Sequence, residues 1–426
     1  MKNITIPVFS AFAGYDSQFL ALRRYAKWFN KVHNGRIHLK FDLVGWCEID
    51  EYAIASHNAL FPEYRDRHYN DIKTVPWHRL KFAILIYSSC CQDITGNGNQ
   101  KGFAEGSGTR SALIWYVLPG IRICKPACCI LENVPAILER KFSNEFRKWQ
   151  EAVDNENQSV CIGGPEYISN WTTLSAIDFG VPQNRNRCFM VSIRKDVNKQ
   201  CEFPMPLRLE ISAESLLEEY VDEDYYLADE DAFKFVTNLN KGGEVSLINV
   251  LKKGANRGKC VNRIVTPTRK DLPHHVAPTL VADAAYDKMP YTRFLTTADF
   301  PRPAVLEVWQ GSDTEQVKLI QSKYTKRICN GSQDDILEAA KNLKSNEYLR
   351  LRRLTPCECF RLMGVDEEDI VKLATSGVPQ SQRYKQAGNA IVVDTLFHLY
   401  KSLFSDVHEW YNKPLLSKDV ISIDIN

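Results

Sequence analysis

The feature that most constrains the fold of this chain is the alternation of short apolar runs with helical patterns in its first 195 residues. The strand-like runs occupy residues 4–10, 41–49, 82–88, 127–132 and 188–193. Helical patterns cover residues 17–32 and 109–123 between them. Largely apolar strands that alternate with helices are typical of a parallel sheet covered on both faces. We therefore predict an α/β fold for this part of the chain.

The composition restricts the class of protein and its compartment. With 44% hydrophobic and 25% charged residues, the 426-residue chain has an ordinary globular composition, and its length allows two domains. The longest apolar runs have the length of strands and are too short to span a membrane. The N-terminus leads directly into a strand pattern without the features of a signal peptide. We therefore expect a cytoplasmic protein that does not bind membranes.

The thirteen cysteines predict buried free thiols. Their number is odd, and several lie inside apolar runs, namely Cys47, Cys128, Cys129 and Cys188. A zinc site requires ligand pairs at set spacings, and the sequence contains no C-x2-C pair. We expect a reduced protein without a metal site.

The charge distribution leaves two interpretations open. The formal net charge is +2, but eight basic residues and one acidic residue lie between Lys241 and Lys270, after an acidic stretch at 210–231. Such a segment is either a solvated surface or a loop that contacts phosphates. The basic run 252–270 and the pair His274-His275 are candidates for contacts to a polyanionic partner.

The helical and strand patterns also predict the domain organisation. We expect residues 1–195 to form a first domain, which residues 385–426 complete, with a closing helix at about 388–403. Residues 196–350 are irregular and rich in charged and turn residues, so we predict a second domain there. Residues 351–384 form a connecting segment between the two.

Candidate cofactor residues follow the first strands, because ligands of open parallel sheets bind beyond the carboxyl ends of the strands. The turn Phe12-Ala13-Gly14-Tyr15-Asp16-Ser17 follows the first strand, Glu48 ends the second and could hold a ribose diol, and Asp71-Ile72 could contact an adenine. The turn lacks the further glycines of a dinucleotide fingerprint. Together these features favour S-adenosylmethionine over NAD. Asp16 could face the positive charge of such a cofactor.

Candidate catalytic residues follow later strands of the same sheet. Cys90 and Cys91 come after the strand at 82–88, and a thiolate at such a loop can be exposed and activated. Glu132 ends the neighbouring strand and can face that thiol. In the run 183–187, Gln183, Arg185 and Arg187 alternate on one face of a predicted strand. Such donors suit a base edge and a phosphate, although a solvated strand entrance has the same pattern.

These motifs, in this order, resemble those of the cytosine-C5 DNA methyltransferase family. The matches are Phe12-Ala13-Gly14, Glu48, Asp71-Ile72, Cys90-Cys91-Gln92, Glu132-Asn133-Val134, Gln183-x-Arg185-x-Arg187, Arg353-Leu354-Thr355-Pro356-x-Glu358 with Met363-Gly364, and Gly388-Asn389-Ala390. They cover about 1–195 and 350–405. The resemblance implies a Rossmann-like mixed sheet with helices on both faces and a smaller, irregular, β-rich target-recognition domain at 196–350.

The resemblance also implies roles for single residues. Cys91 is the nucleophile, Glu132 the acid beside cytosine N3 and Arg185 the contact to cytosine O2, while Arg187 and Gln183 complete the catalytic set. Cys90 occupies the position of the family's proline, which would stiffen the loop. The implied cofactor contacts are Phe12, Ala13, Gly14, Tyr15, Glu48, Ile49, Asp71, Ile72, Cys90, Leu113, Asn389 and Ala390.

The implied activity is the sequence-specific transfer of a methyl group from S-adenosylmethionine to C5 of a flipped-out cytosine in double-stranded DNA, through a covalent bond between the cysteine and C6. S-adenosylhomocysteine is the expected product. We expect a monomer of restriction–modification, phage or orphan type, with a cognate restriction endonuclease as a further partner. A tRNA methyltransferase of the same family and a DNA-binding relative without activity are the alternatives.

Overall fold

The computed structural model describes residues 2–34, 36–95, 100–155, 165–226, 304–310, 324–329 and 347–411. The basic run 252–270, His274 and His275 lie outside these residues, as does much of the predicted recognition domain. In the described part of the chain, no helix is long and apolar enough to cross a membrane.

A seven-stranded sheet forms the centre of the described structure. Its strands are β1 Lys2–Ala11, β2 Ile37–Cys47, β3 His68–Tyr69, β4 Ile84–Tyr87, β5 Cys128–Asn133, β6 Tyr167–Ser175 and β7 Asn186–Arg194. The spatial order is β3-β2-β1-β4-β5-β7-β6. The first five strands in this order, β3, β2, β1, β4 and β5, pair in parallel with their neighbours. Strand β7 runs antiparallel to both β5 and β6.

The mixed sheet implied by the family resemblance is confirmed. The all-parallel sheet predicted from the apolar runs is wrong at the edge formed by β7 and β6, where the strands pair antiparallel. Strand β6 lies at the edge and carries polar residues such as Asn170 and Thr172, so it has no apolar run. The short connection 176–185 then reverses the chain into β7. A connection without a full crossover helix favours antiparallel pairing.

Helices cover both faces of the sheet. They are α1 Ser17–Val32, α2 Glu51–Leu60, α3 Leu118–Cys124, α4 Ser143–Asp154, α5 Pro356–Arg361, α6 Glu367–Ala374, α7 Gln380–Asn389, α8 Val393–Leu403 and α9 Val407–Trp410. The predicted helix at 17–32 is confirmed. The predicted helix at 109–123 is a 3-10 helix, Ser111–Val117, followed by α3. The predicted closing helix begins at Val393 rather than Gly388, because α7 ends at Asn389.

The C-terminal helices pack on the N-terminal part of the chain. The Tyr25 hydroxyl donates to Phe404 O at 2.7 Å, and the Tyr400 hydroxyl donates to Gln18 O at 3.3 Å. These side chains belong to the apolar cluster on one face of the sheet. A second cluster, which includes Tyr87 and Trp149, covers the other face. Burial of large apolar side chains on both faces is the main stabilising contribution for such a sheet.

Three further strands form an antiparallel sheet, namely β8 Ala304–Gln310, β9 Tyr324–Cys329 and β10 Glu347–Arg353, in the order β10-β8-β9. Strand β10 leads directly into α5, which Thr355 and Glu358 begin with a capping box. The buried Arg352 binds both Glu358 oxygens at 2.8 Å. This two-point ion pair fixes the direction in which the chain leaves β10.

Candidate active site

The turn after β1 opens toward space at Gly14. Gly14 has a φ of +59°, and a Cβ added there would meet nothing within 4 Å. Its N–H donates to Glu48 Oε2 at 2.8 Å, and Glu48 Oε1 accepts from the N–H groups of Ile49 and Asp50 at 2.8 and 2.9 Å. Ile49 is 67% exposed. An oriented carboxylate beside an open turn and an exposed apolar side chain fits the ribose and adenine of a nucleoside cofactor.

Asp16 does not face this open side. Its buried carboxylate accepts hydrogen bonds from Ser10 Oγ at 2.9 Å and from Phe19 N at 3.1 Å, which caps α1. His57 Nε2 lies 3.4 Å from the other oxygen. The prediction that Asp16 faces a positively charged cofactor is therefore wrong, because its carboxylate is used inside the protein.

Several of the predicted cofactor residues lie with their side chains inside the protein. The Tyr15 ring is buried and meets Phe360 edge-to-face with the ring centroids 5.4 Å apart. Ile72 is buried in the apolar cluster. Asp71 Oδ1 accepts a hydrogen bond from Lys73 N at 3.0 Å, which begins a short 3-10 helix. A contact of these positions to a ligand stays a prediction.

Of the other predicted cofactor positions, Ala13 is buried, whereas Phe12, Leu113, Asn389 and Ala390 are more accessible. Phe12 and Leu113 are partly buried against the apolar cluster, and Phe12 has a φ of +55°. Asn389 is exposed at the end of α7, and Ala390 follows it. Ala13 N donates to Cys47 O at 2.9 Å, which ties the turn to the end of β2.

Cys91 lies at the start of a turn beyond the carboxyl end of β4. Its carbonyl accepts from Ile94 N at 3.0 Å and from Thr95 N at 2.9 Å. Burial raises the pKa of the Cys91 thiol, and the charges of Cys90 and Glu132 act in the same direction. Arg187 opposes this shift most strongly among the neighbouring groups. Arg187 is therefore placed to stabilise a thiolate at Cys91.

Glu132 is held from two sides at the end of β5. The Ser88 hydroxyl donates to Glu132 Oε2 at 2.5 Å, and Arg187 Nε lies 3.1 Å from Glu132 Oε1. The Glu132 side chain is 6% exposed and that of Arg187 16% exposed. These bonds fix the orientation of the carboxylate in the same crevice as Cys91.

Gln183 and Arg185 hydrogen-bond to the C-terminal part of the chain, and Arg185 is still close enough to Cys91 to lower the pKa of its thiol. The strand β7 begins only at Asn186, so the predicted alternation of Gln183, Arg185 and Arg187 on one strand face is wrong. The buried Gln183 side chain donates to Leu362 O. Arg185 donates to Gly388 O at 2.8 Å and to Ala390 O at 2.6 Å, and burial lowers its pKa to about 9. Both residues connect β7 to the C-terminal helices.

Ser88 was not among the residues predicted from the sequence. Its position was nevertheless available from the strands, because Tyr87 pairs with Leu131 in the parallel β4–β5 ladder. The residues that follow, Ser88 just after β4 and Glu132 near the end of β5, are therefore neighbours at this end of the ladder.

Comparison with known proteins assigns the family. The family model described as C-5 cytosine-specific DNA methylase matches residues 8–405. The chain belongs to this family. It is a DNA cytosine methyltransferase.

Curated relatives match this methyltransferase over nearly its whole length. It is 26% identical to the orphan methyltransferase M.SPRI of Bacillus phage SPR, with 95% of this chain and 98% of the relative covered. It is 28% identical to the type II methyltransferase M2.ScrFI of Lactococcus lactis subsp. cremoris, with 93% and 98% covered.

Solved structures support the fold. The methyltransferase EhMeth of Entamoeba histolytica aligns with a TM-score of 0.57 at 16% identity, over 95% of this chain and 99% of that one. The Dnmt2 methyltransferase of S. pombe aligns with a TM-score of 0.53 at 18% identity, over 94% and 99%. The Rossmann-like methyltransferase fold predicted from the motifs is confirmed.

Proposed function

We propose that this methyltransferase transfers a methyl group from S-adenosylmethionine to C5 of a cytosine that is flipped out of double-stranded DNA at a specific sequence, with Cys91 as the nucleophile. The observation that carries the proposal is the arrangement around Glu132, whose two carboxylate oxygens are bound by Ser88 and Arg187 in the crevice that contains Cys91. A thiol, an oriented carboxylate and a guanidinium are the groups that covalent activation of a pyrimidine requires.

The proposed chemistry begins at Cys91. Its thiolate adds to C6 of the cytosine ring, while the carboxyl group of Glu132 stabilises or protonates N3, so that electron density accumulates at C5. The cofactor supplies an electrophilic sulfonium methyl group. C5 takes this methyl group, a base then removes the C5 proton, and the C6–S bond breaks to release 5-methylcytosine and the thiolate. Cytosine C5 and C6 are inaccessible while the base is stacked in the duplex, so the cytosine must leave the helix.

The contact to cytosine O2 is better supported for Arg187 than for Arg185. Arg187 lies against Glu132, which is the group expected beside N3. Arg185 is buried and donates to the carbonyl of Gly388 in the last turn of α7 and to that of Ala390, which follows the helix. We therefore propose that Arg187 contacts the base and that Arg185 supports the crevice from behind.

The cofactor would be held by the turn at Gly14 and by Glu48, with Ile49 against the adenine. The open space at Gly14 and the oriented Glu48 carboxylate support this placement. S-adenosylhomocysteine would be the product. The predicted domain boundaries at 195, 350 and 384 and the recognition role of 196–350 remain proposals, as does the monomeric state.

The genetic context is also a proposal. One relative is named an orphan methyltransferase and another a type II methyltransferase. A cognate restriction endonuclease therefore stays a prediction for this chain, and an orphan role is equally compatible with these names.

A transfer assay tests the proposal. The full chain, its Cys91→Ala variant and its Cys90→Ala variant are incubated with methyl-labelled S-adenosylmethionine and either unmethylated DNA or tRNA. We expect label in DNA that is lost with Cys91→Ala and retained with Cys90→Ala, and bisulfite sequencing then gives the recognition sequence. Label in tRNA alone would favour the tRNA alternative. DNA binding without label in either substrate would favour an inactive DNA-binding protein.

A further inference from the structure

Two buried polar residues beside the turn that begins at Cys91, Asp93 and Ser111, have no role in the proposed chemistry. Ser111 is fully buried and Asp93 is 5% exposed. Apolar side chains of the second cluster surround this region, including Ile94, Phe103 and Ile114. Buried polar groups are costly unless they are hydrogen-bonded, so the bonds of this pair indicate what it does.

The two residues bond to each other in both directions. Ser111 N donates to Asp93 Oδ2 at 3.1 Å, and Asp93 N donates to Ser111 Oγ at 3.3 Å. The Ser111 hydroxyl in turn donates to Cys90 O at 2.5 Å. One hydroxyl therefore bonds to the main chain on both sides of Cys91.

Further main-chain bonds complete the turn. The Cys91 carbonyl accepts from Ile94 N and Thr95 N, and Asp93 O accepts from Gly102 N at 2.9 Å. The backbone around Cys91 is thus fixed through the Cys91 carbonyl, through Cys90 before it and through Asp93 two residues after it. The 3-10 helix that begins at Ser111 acts as the rigid support for these bonds.

We propose that Asp93 and Ser111 are positioning residues that hold Cys91 in the correct position relative to Glu132. The family's proline precedes the cysteine, and Cys90 stands in its place here, so the turn lacks a ring that restricts rotation. The bond from Ser111 to Cys90 O supplies an alternative restraint. A displacement of a reacting atom by about 1 Å can reduce the rate on the order of a hundredfold. The inference rests on the proposed role of Cys91 as the nucleophile.

Ser111→Ala in the full-length enzyme tests this inference. We expect kcat for methyl transfer to DNA to fall roughly 10- to 100-fold, with KM for DNA within about twofold of the parent and a similar melting temperature. Covalent trapping on a duplex that contains 5-fluorocytosine should slow by the same factor. Ser143→Ala is the matched control, because that exposed hydroxyl also donates to a backbone carbonyl, Arg140 O, at 3.1 Å. It should leave kcat unchanged.

The effect of Ser111→Ala on kcat in a Cys90→Pro background distinguishes a positioning role from a merely structural one. In the Cys90→Pro background the ring restricts the turn, so Ser111→Ala should cost less than about threefold in kcat. Asp93→Asn keeps an acceptor oxygen for Ser111 N and should retain more activity than Asp93→Ala.

Three results would overturn the inference. These are an unchanged kcat in Ser111→Ala, a loss explained by unfolded protein, and an equal Ser111→Ala penalty in both backgrounds. If methyl transfer survives Cys91→Ala, the proposed function falls and this inference falls with it. If Cys91 is essential and Ser111→Ala is neutral, only this inference fails.

Discussion

Arg187 Nε lies 3.1 Å from Glu132 Oε1 at the point where β7 and β5 run antiparallel beside each other. The antiparallel edge is what creates this pair, because it brings the start of β7 to the carboxyl end of β5. Ser88 approaches the other Glu132 oxygen from β4, which runs parallel to β5. A carboxylate bound from both a parallel and an antiparallel neighbouring strand has little freedom to rotate. This suits the proposed contact of Glu132 with one ring nitrogen.

Substitution of Arg187 should reduce catalysis, whereas substitution of Arg185 should reduce stability. Arg187→Ala removes the cation beside Glu132 and Cys91, so we expect kcat to fall roughly 100- to 1000-fold with the melting temperature nearly unchanged. Arg185→Ala leaves the carbonyls of Gly388 and Ala390 without this donor, at about 1–3 kcal/mol of unfolding free energy for each. Calorimetry and steady-state kinetics on both variants decide the matter. A stable, inactive Arg185→Ala protein beside an active Arg187→Ala protein would reverse the assignment.

Ser88→Ala should impair catalysis without affecting DNA affinity. The substitution removes the donor to Glu132 Oε2 and leaves the contact of Arg187 with Glu132 Oε1 in place. We expect kcat to fall about tenfold, in line with the loss of one charge-assisted hydrogen bond, while DNA binding in a shift assay stays at the parent level. Ser88→Thr keeps the hydroxyl and should recover part of the rate. Equal losses in both variants would show that the hydroxyl is not what matters.

The reactivity of Cys91 toward iodoacetamide should depend on pH in a predictable direction. Burial raises the thiol pKa, so alkylation at Cys91 should increase with pH beyond the ordinary cysteine value of about 8.5. Arg187 lowers this pKa by stabilising the thiolate, so Arg187→Ala should move the midpoint to still higher pH. Mass spectrometry in a Cys90→Ala background gives the rates. Arg147→Ala, a change on the surface of α4, is the control and should leave the midpoint in place. A midpoint that moves to lower pH in Arg187→Ala would contradict the prediction.

Gly364 and Gly377 form a matched pair for a stability test. Both have a left-handed φ, of +72° and +76°, so alanine at either position costs about 1–2 kcal/mol in backbone strain. A Cβ at Gly364 would also overlap Asp394 Oδ2, whereas one at Gly377 would meet nothing within 4 Å. Asp394 pairs with Arg24 of α1 at 2.9 Å, so Gly364→Ala should cost a further ~1–3 kcal/mol. Denaturant unfolding of both variants measures the difference, and equal losses would show that the contact to Asp394 relaxes freely.

Glu48→Ala should weaken cofactor binding. The substitution removes the proposed ribose acceptor together with the partner of the Gly14 N–H, so we expect the Kd for S-adenosylmethionine in calorimetry to rise roughly 10- to 100-fold, or about 1.4–2.7 kcal/mol. Glu51→Ala removes an exposed carboxylate from the first turn of α2 and is the charge-matched control. If both variants bind the cofactor equally well, Glu48 does not hold it.

Much of the site could be predicted from the sequence because its residues follow strands. A buried parallel strand is a local pattern, and the residue after it must emerge at one edge of the sheet. For that reason the sequence predicts that Glu48, Cys91 and Glu132 lie near the carboxyl ends of the strands, and the structure places them there. The motif order added the mixed sheet, which the apolar runs alone did not predict.

What the tertiary structure decided is the direction of each side chain. Asp16 could not be assigned from its neighbours, since its carboxylate turns inward to Ser10, Phe19 and His57. The different roles of Arg185 and Arg187 depend on where β7 begins and on the Gly388 carbonyl, which α7 presents 203 residues later. The Ser111 bond to Cys90 joins residues 21 positions apart across a loop. Local sequence determines which residues reach the edge of the sheet, whereas long-range hydrogen bonds, which depend on distant backbone groups, determine which of their side chains are held inside the protein.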